Sequence, residues 1–322
     1  MLKYLVILLD DTAVSYCHYQ SKKAERRLIS LADLKAGILF AMKQNLMLQV
    51  VYPACEIPAA HREAIETIDH CKVAPVGGGS EKRADVVVLD GRNAAEGWAE
   101  VEVGKEKVAV LRLAKAEFFA CYPKVGELLG CVGRINVVIT DVEAFGEPDF
   151  QAYGEVLSAL SVEVKKLYAQ GLRPQLNILT DRLMLEAMNS CNAGYESVTL
   201  APNGKFYVCP AFYMEDESEA IGDLFTGLSV KNRQLYGIQH APLCRRCDAY
   251  QCKRCVWLNR KTTGEVNTPS REQCVAAHLE RNASGKLLRD LQSAGGEHGF
   301  VKTIGDVSYL DPFDTLKDSC DV

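Results

Sequence analysis

The sequence predicts an α/β protein, a partial (βα)6 TIM-like barrel followed by a small cysteine-rich domain. Short apolar runs alternate with helical patterns along the first ~180 residues, which favours a mostly parallel sheet, open or partly closed into a barrel. Six such runs suit a partial barrel better than the eight strands of a complete one. Beyond them, seven of the thirteen cysteines lie between residues 191 and 274.

Each of the six predicted strands is a short run rich in aliphatic and β-branched residues. The runs are residues 4–9, 48–52, 85–89, 108–113, 135–140 and 175–179. The chain starts with MLKYLVILLDD, whose apolar stretch is short, ends in two aspartates and lacks a small-residue cleavage site. We therefore interpret it as a buried first strand rather than a signal peptide.

Two amphipathic helices between these strands have apolar residues at spacings of three and four. Ser30 and Asp33 form a predicted capping box for the first helix, and its apolar positions are Leu31, Leu34, Ile38 and Met42. The second ends at Gly171, a residue type that commonly follows helices, and its apolar face is Phe150, Tyr153, Leu157, Leu160, Val164 and Leu167. A further helix is predicted at 285–293 and a short strand at 308–310.

Composition is that of an ordinary globular protein, with 48% apolar and 25% charged residues. The net charge of −5 implies no dominant basic face, so we expect no nucleic-acid partner. No run approaches the ~20 apolar residues of a membrane-spanning helix, and we expect a cytoplasmic protein with no membrane partner. The predicted domains are the barrel at 1–185, the cysteine-rich domain at 186–290 and a tail at 291–322.

The cysteine-rich domain has short apolar runs, so bound metal is expected to supply part of its folding energy. Clustered cysteines in a reducing compartment indicate metal ligation rather than disulfides. Cys191 precedes a GX4C pattern ending at Cys209, and Asn203–Gly204 predicts a two-residue hairpin turn that brings the two cysteines together. A CX2CX4CX2C block and a final cysteine complete the array: Cys244, Cys247, Cys252, Cys255 and Cys274.

The spacing within this array favours iron–sulfur clusters. Zinc ribbons usually separate two CX2C pairs by a dozen or more residues, whereas the four residues here leave too little chain for one tetrahedral site. Seven cysteines also exceed the four that a structural zinc needs. Iron–sulfur clusters are larger and take ligands from distant segments. Zinc and unliganded thiols are the alternatives.

The array resembles the SPASM domain of radical S-adenosylmethionine (radical SAM) peptide-modifying enzymes. That family's pattern is C, nine to fifteen residues, GX4C, a gap, CX2CX5CX3C, a second gap and C. This chain departs from it by one residue fewer in each of two spacers. The resemblance implies two auxiliary 4Fe–4S clusters. By position, the first takes Cys191, Cys209 and Cys255, and the second takes Cys244, Cys247, Cys252 and Cys274.

The first of these sets has only three cysteines. Members of the family often recruit a further cysteine just upstream, but no cysteine lies between Cys131 and Cys191 here. We therefore expect the first cluster either to keep an open iron site or to bind water or a non-cysteine protein ligand. An open iron would accept a substrate thiolate, a small ligand or a partner residue.

The resemblance also implies a radical SAM barrel, whose CX3CX2C motif after the first strand binds a catalytic cluster. Here Ala13 and Gln20 replace the first and third cysteines, and only Cys17 remains. One thiolate cannot hold that cluster, and the glycine-rich segment after the second strand is absent. His18 is a conceivable ligand, although a loop histidine is more often a packing or surface residue. We expect no autonomous radical SAM enzyme, no S-adenosylmethionine cofactor and no assigned catalytic residue.

A barrel without its catalytic cluster beside two auxiliary sites resembles the CXXX-repeat peptide maturases. These are a degenerate radical SAM branch associated with ribosomally synthesised cysteine-repeat peptides and a second, intact radical SAM maturase. The resemblance implies one subunit of a heterodimer, whose clusters bind substrate cysteines or relay electrons. The alternatives are a non-catalytic peptide-binding scaffold with structural clusters and a scaffold stabilised by zinc.

Basic and aromatic residues accompany the cysteine block. The basic ones are Arg245, Arg246, Lys253 and Arg254. Positive charges there would stabilise anionic clusters or guide an acidic leader peptide. Tyr250 and Trp257 are expected to pack around a cluster.

Overall fold

The structure is a computed structural model that describes residues 2–21, 26–77, 84–91, 104–184, 190–249, 252 and 254–294. Its strands are β1 (Tyr4–Leu8), β2 (Met47–Val51), β3 (His70–Pro75), β4 (Val86–Asp90), β5 (Gly104–Leu113), β6 (Val132–Ile139), β7 (Gln175–Leu176), β8 (Ser197–Leu200), β9 (Phe206–Tyr207), β10 (Gly222–Asp223) and β11 (Gly227–Leu228). Its α-helices are α1 (Leu31–Gln44), α2 (Ala59–Glu66), α3 (Lys115–Leu129), α4 (Glu147–Ala169), α5 (Asp181–Met184), α6 (Pro210–Glu215), α7 (Val256–Thr263) and α8 (Arg271–Ser293). Short 3₁₀ helices cover Val142–Ala144, Glu217–Glu219, Arg233–Tyr236, Ile238–His240 and Cys244–Arg246.

One sheet contains nine of these strands, in the order β7-β6-β5-β4-β3-β2-β1-β8-β9. Strands β1 to β7 are parallel to their neighbours and lie side by side in sequence order, as the strands of a βα barrel do. The predicted α/β fold with a mostly parallel, barrel-type sheet is therefore confirmed. β3 was not predicted from the sequence, because only two of its residues, Val73 and Ala74, are buried and its sequence HCKVAP contains no longer apolar run.

Both faces of the sheet are buried. Side chains alternate along a strand, so Leu5 and Ile7 of β1 pack in a core with α1 and α2, while Val6 and Leu8 pack in a second core on the opposite face. We call the face that carries Val6 the inner face. Strands buried on both faces have continuous apolar sequences, which explains why most of them are recognisable from the sequence.

Helix α1 begins at its predicted cap. The hydroxyl oxygen of Ser30 accepts a hydrogen bond from the Asp33 N–H at 3.0 Å and donates to the Asp33 carboxylate at 2.7 Å. The buried residues of α1 are Leu34, Gly37, Ile38 and Ala41. The prediction for Met42 was wrong, since its side chain is 61% exposed. Met42 comes one residue after the buried Ala41, so its side chain is turned about 100° around the helix axis from that of Ala41.

Helix α4 buries its predicted apolar face, although Leu167 is only partly buried. Helix α8 packs along α4, where the Tyr153 hydroxyl donates to Glu280 Oε1 at 2.7 Å. The helix predicted at 285–293 is the second half of α8, and the strand predicted at 308–310 lies outside the described residues. Neither of these long helices, nor any other within the described ranges, is apolar enough to cross a membrane.

The predicted hairpin is present, with β8 antiparallel to β9 and Thr199 opposite Tyr207. Its turn is longer than the predicted two-residue turn, because the Gly204 N–H donates to Ala201 O at 3.0 Å. Gly204 has a positive φ of +76°, whereas Asn203 does not take up this left-handed conformation. β8 also pairs in parallel with β1, so the sheet continues across residue 185, the predicted end of the barrel.

Replacing Gly204 by alanine should lower the free energy of unfolding by about 1–2 kcal/mol, because an L-residue is strained in the left-handed region. The added Cβ would also lie 3.3 Å from the Asp33 carboxylate. Gly154→Ala, inside α4 with nothing within 4 Å of the new Cβ, should instead raise stability by up to about 1 kcal/mol. Urea unfolding followed by circular dichroism measures both, and a similar loss in the two variants would contradict the role of φ.

Candidate metal centre

The loop after β1 follows the carboxyl end of a parallel strand, where βα folds place functional residues. Arg112 on β5 is fully buried, and it donates from Nε to Cys17 O and from Nη2 to Tyr19 O, each at 2.6 Å. Its remaining nitrogen, Nη1, pairs with Asp90. Because these donors belong to one planar group, they restrict the backbone of the loop. The position of Cys17 is therefore set from β5.

The same loop is also held from the cysteine-rich segment. The hydroxyl of Tyr213 on α6 donates to the buried carboxylate of Asp11, which accepts a second bond from the Arg27 N–H at 3.1 Å. Burial, followed by the bond to Asp11, raises the pKa of Tyr213, so this hydroxyl remains a donor. Cys209 is the N-cap residue of α6. These contacts place the loop of Cys17 beside the helix that begins at Cys209.

A cavity of ≈ 400 Å³ lies between the inner face of the sheet and the cysteine-rich segment. Its wall is apolar at Val6 and Val110 and polar at β6, where Arg134 pairs with Asp181 at 2.6 Å. The cysteines that line it are Cys17, Cys191, Cys209, Cys252 and Cys255. The three cysteines predicted for the first cluster therefore share one cavity, and Cys17 shares it with them.

Burial makes these thiols weak acids. It raises the pKa of Cys17 to about 12, with a further contribution from the nearby Cys191 thiol. It also raises the pKa of Cys209 well above the ordinary value, and the thiols of Cys255, Cys17 and Cys191 raise it further. Such thiols stay protonated at neutral pH unless a bound cation replaces the proton. The cavity would therefore hold these sulfurs as thiolates only with a bound metal.

Cys244, Cys247 and Cys252 form a second group. Burial raises the pKa of Cys252 to about 12, and the thiols of Cys244 and Cys247 contribute to the rise. The sulfur of Cys247 lies 3.6 Å from Nε2 of His278 on α8. Cys274 precedes His278 by one turn of that helix and faces the same side. Cys252 belongs to this second group but also lines the ≈ 400 Å³ cavity. It therefore lies between the second group and the cysteines of that cavity.

The thiols are not spaced for one metal ion. Within the described ranges, no three His, Cys, Asp or Glu side chains stand close enough together to hold a single ion. Structural zinc requires four donors at about 2.0–2.3 Å from one point. A 4Fe–4S cluster instead distributes its thiolates over several iron atoms. The described side chains therefore do not form a site for a single zinc ion.

Solved structures have this arrangement of strands and helices. Native anSMEcpe with bound AdoMet matches with a TM-score of 0.57 at 12% identity, covering 89% of this chain and 99% of that chain. The same enzyme with bound AdoMet and Cp18Cys peptide matches with a TM-score of 0.56 at 12% identity, covering 91% and 100%. That protein is an anaerobic sulfatase-maturating enzyme, a radical SAM enzyme with a SPASM domain. This chain has the radical SAM/SPASM fold.

The likeness lies in the fold rather than in the sequence. No family model matches the chain, and no curated protein matches it.

In this radical SAM/SPASM fold, Arg254 lies among the cysteines. It is 1% exposed, and its Nη1 donates to Tyr236 O at 3.2 Å. Its Nε and Nη2 have no hydrogen-bond partner among the described residues. Burial lowers the pKa of Arg254, and the nearby thiols, those of Cys244 and Cys191 first, act against this. Unpartnered cationic donors beside both cysteine groups fit an anionic, sulfur-rich cofactor.

Of the other basic residues in the cysteine block, Arg245 and Arg246 are exposed. Lys253 and Tyr250 lie outside the described residues. Among the described basic residues of this block, Arg254 is therefore the buried one, and it is the one placed to interact with a buried cluster.

Trp257 and His18 also line the cavity. Trp257 donates from Nε1 to Glu215 at 2.6 Å, in keeping with a packing role. His18 additionally lines a smaller cavity of ≈ 50 Å³, together with Cys252 and Arg254.

Sequence reasoning alone misses the positions of Cys17 and Arg112. By sequence, Cys17 stands alone in its loop, and nothing in its spacing connects it to residues that follow almost two hundred positions later. The sequence does contain a signal for Arg112, since it is a charged residue inside an apolar strand. Such a residue is seldom fully buried without a partner. Two of the three partners of Arg112 are main-chain carbonyls, which no sequence pattern reveals.

Arg112→Met should lower the free energy of unfolding of the metal-free protein by about 3 kcal/mol, since buried carbonyls lose charged donors. Asp90→Asn is the control. It preserves the bonds to the loop, and Asp90 is 48% exposed, so its cost should stay below about 1 kcal/mol. Urea unfolding monitored by circular dichroism gives both values. Equal losses of unfolding free energy in the two variants would show that the ion pair, rather than the hydrogen bonds from Arg112 to the loop, stabilises this region.

Proposed function

We propose that this protein is an iron–sulfur subunit in the maturation of a ribosomally synthesised, cysteine-repeat peptide. It carries two auxiliary 4Fe–4S clusters and forms a heterodimer with an intact radical SAM maturase. The observation that carries the proposal is the grouping of its cysteines around a barrel whose first loop retains one of the three thiols needed for catalysis. It binds substrate or relays electrons, and its partner starts the radical chemistry.

The first cluster is assigned to Cys191, Cys209 and Cys255, and the second to Cys244, Cys247, Cys252 and Cys274. The shared cavity supports the first set. The second set is supported by the thiols of Cys244 and Cys247, which raise the pKa of Cys252, and by that of Cys247, which raises the pKa of Cys244. When bound, such clusters supply electron transfer or a site for a thiolate ligand. Arg254 would offset their negative charge.

The barrel itself does not bind S-adenosylmethionine in this proposal. The loop after β1 presents Ala13 and Gln20 where a catalytic cluster needs thiolates, and Ala13 is buried in the core of the inner face. A single thiol leaves the other irons of such a cluster without ligands. The AdoMet bound in the structures of anSMEcpe therefore belongs to a function that we assign to the partner.

A peptide substrate is supported by two features. One anSMEcpe structure contains the Cp18Cys peptide, and the ≈ 400 Å³ cavity of this chain combines an apolar wall with the paired Arg134 and Asp181. A largely apolar cavity with a few fixed polar groups suits a side chain of a peptide.

The metal content tests the assignment of the clusters. Anaerobically purified protein should contain about eight irons per chain with equal sulfide, as two 4Fe–4S clusters require. Cys209→Ser and Cys247→Ser should each lose about four irons, and the double variant nearly all of them. Cys121→Ser, at a partly buried cysteine of α3 that does not line the ≈ 400 Å³ cavity, is the control and should keep the full content. Stoichiometric zinc without iron would refute the proposal.

The partnership is tested by co-expressing this chain with an intact radical SAM maturase chosen from the genes that neighbour its own. The two proteins should co-purify in equal amounts, and modification of the precursor peptide, measured by mass spectrometry, should require both. Cys121→Ser should support modification and Cys209→Ser should not. Peptide modified equally well without this chain, and no co-purification, would reject the role.

A peptide-binding scaffold with structural clusters, or with structural zinc, is the second candidate. One observation favours it: between β11 and α7 the described chain forms only short 3₁₀ helices, so bound metal would add to the order of this segment. If Cys209→Ser unfolds this region, judged by proteolysis, the scaffold role gains support. A folded variant that fails to support modification favours a direct role.

A further inference from the structure

We propose that Cys17, from the loop after β1, is the fourth thiolate ligand of the first cluster, with Cys191, Cys209 and Cys255. This inference rests on the proposed function, because it assumes that the shared cavity holds a cluster. It replaces the expectation of an open iron with a site that is closed by the barrel itself.

The four cysteines reach one cavity from four separate parts of the chain. Cys17 comes from the loop after β1, and Cys191 precedes β8. Cys209 and Cys255 are the N-cap residues of α6 and α7. A 4Fe–4S cluster takes four cysteines, and ligands from distant segments are usual for it.

Hydrogen bonds within the chain hold Cys17 at this place. Arg112 donates to the main chain of Cys17 and of Tyr19, at 2.6 Å each. The Tyr19 side chain is 1% exposed in the core of the inner face. The bond from Tyr213 to Asp11 joins the loop to α6, which begins at Cys209. A cluster ligand benefits from such preorganisation, since less ordering remains to be done on binding.

Other cysteines fit the fourth position less well. Within the described ranges, Cys55, Cys71, Cys121 and Cys131 do not line the cavity. Cys252 does line it, but Cys252 also lies beside Cys244 and completes the second set. Without Cys17 the first set has three thiols, and with it each set has four.

The consequence is functional. A cluster with four thiolates has no iron free for a substrate thiol, so the first cluster relays electrons instead of binding the peptide. The loop that serves catalysis in an intact radical SAM barrel has here become part of the accessory site.

Iron and sulfide analysis of anaerobic Cys17→Ser, with Cys121→Ser as the matched control, tests the inference. Cys17→Ser should lose about four irons, or should form a [3Fe–4S] cluster, detected by electron paramagnetic resonance after mild oxidation. Because Cys17 and Cys209 serve one cluster, the double variant should lose no more iron than Cys209→Ser alone. Combining Cys17→Ser with Cys247→Ser should remove nearly all the iron.

Iron content and spectra of Cys17→Ser equal to those of Cys121→Ser would overturn the inference and leave the proposed function intact. Wild-type protein without iron would overturn both. If Cys252→Ser adds no loss to Cys209→Ser, the fourth ligand is Cys252, and the inference is wrong.

Labelling of the wild-type protein covers the case in which Cys17→Ser does not fold. Iodoacetamide alkylation, read by mass spectrometry, is done with and without iron in urea just below the unfolding midpoint, so that buried thiols of the iron-free protein react. Iron loading should then protect Cys17 to the same extent as Cys191. Protection of Cys191 without any change at Cys17 would contradict the inference.

Discussion

The pairing of β1 along both its edges is the constraint on which the rest of the structure depends. β1 is parallel to β2 on one side and to β8 on the other. The barrel sheet and the hairpin of the cysteine-rich segment are therefore one hydrogen-bonded unit. A slip of β8 by one residue would turn Val198 and Leu200 away from the core. The register is thus fixed by burial, and it determines where the cysteines on either side of the hairpin lie.

This geometry buries polar groups in the candidate metal centre, which has an energetic cost. Thiols and a guanidinium are removed from water there, and the Nε and Nη2 of Arg254 find no partner among the described residues. Buried donors without acceptors destabilise a fold unless something else satisfies them. A bound anionic cluster would do so, and it would also replace the protons of thiols such as Cys17, whose pKa is raised to about 12. Folding and metal binding are therefore expected to be coupled.

The barrel of this chain shares its fold with a catalytic protein, whereas its loop after β1 has its own residues. The parallel strands follow one another in sequence order, and Arg112 braces that loop from the centre of the sheet. The loop has Ala13 and Gln20, with Cys17 between them. Since fold and function are separable, the shared fold does not by itself imply that this chain starts a radical reaction.

The sequence by itself determined the α/β class, most strands, the helix cap at Ser30 and the array from Cys191 to Cys274. These are local properties, because strand runs, caps and cysteine spacings depend on neighbouring residues. Only the tertiary structure decided that Met42 is exposed, since a helix's buried stripe depends on what packs against it. It also decided that Cys17 joins the cavity of Cys209. That meeting depends on β1 pairing with β8 across most of the chain, a long-range contact that no local pattern encodes.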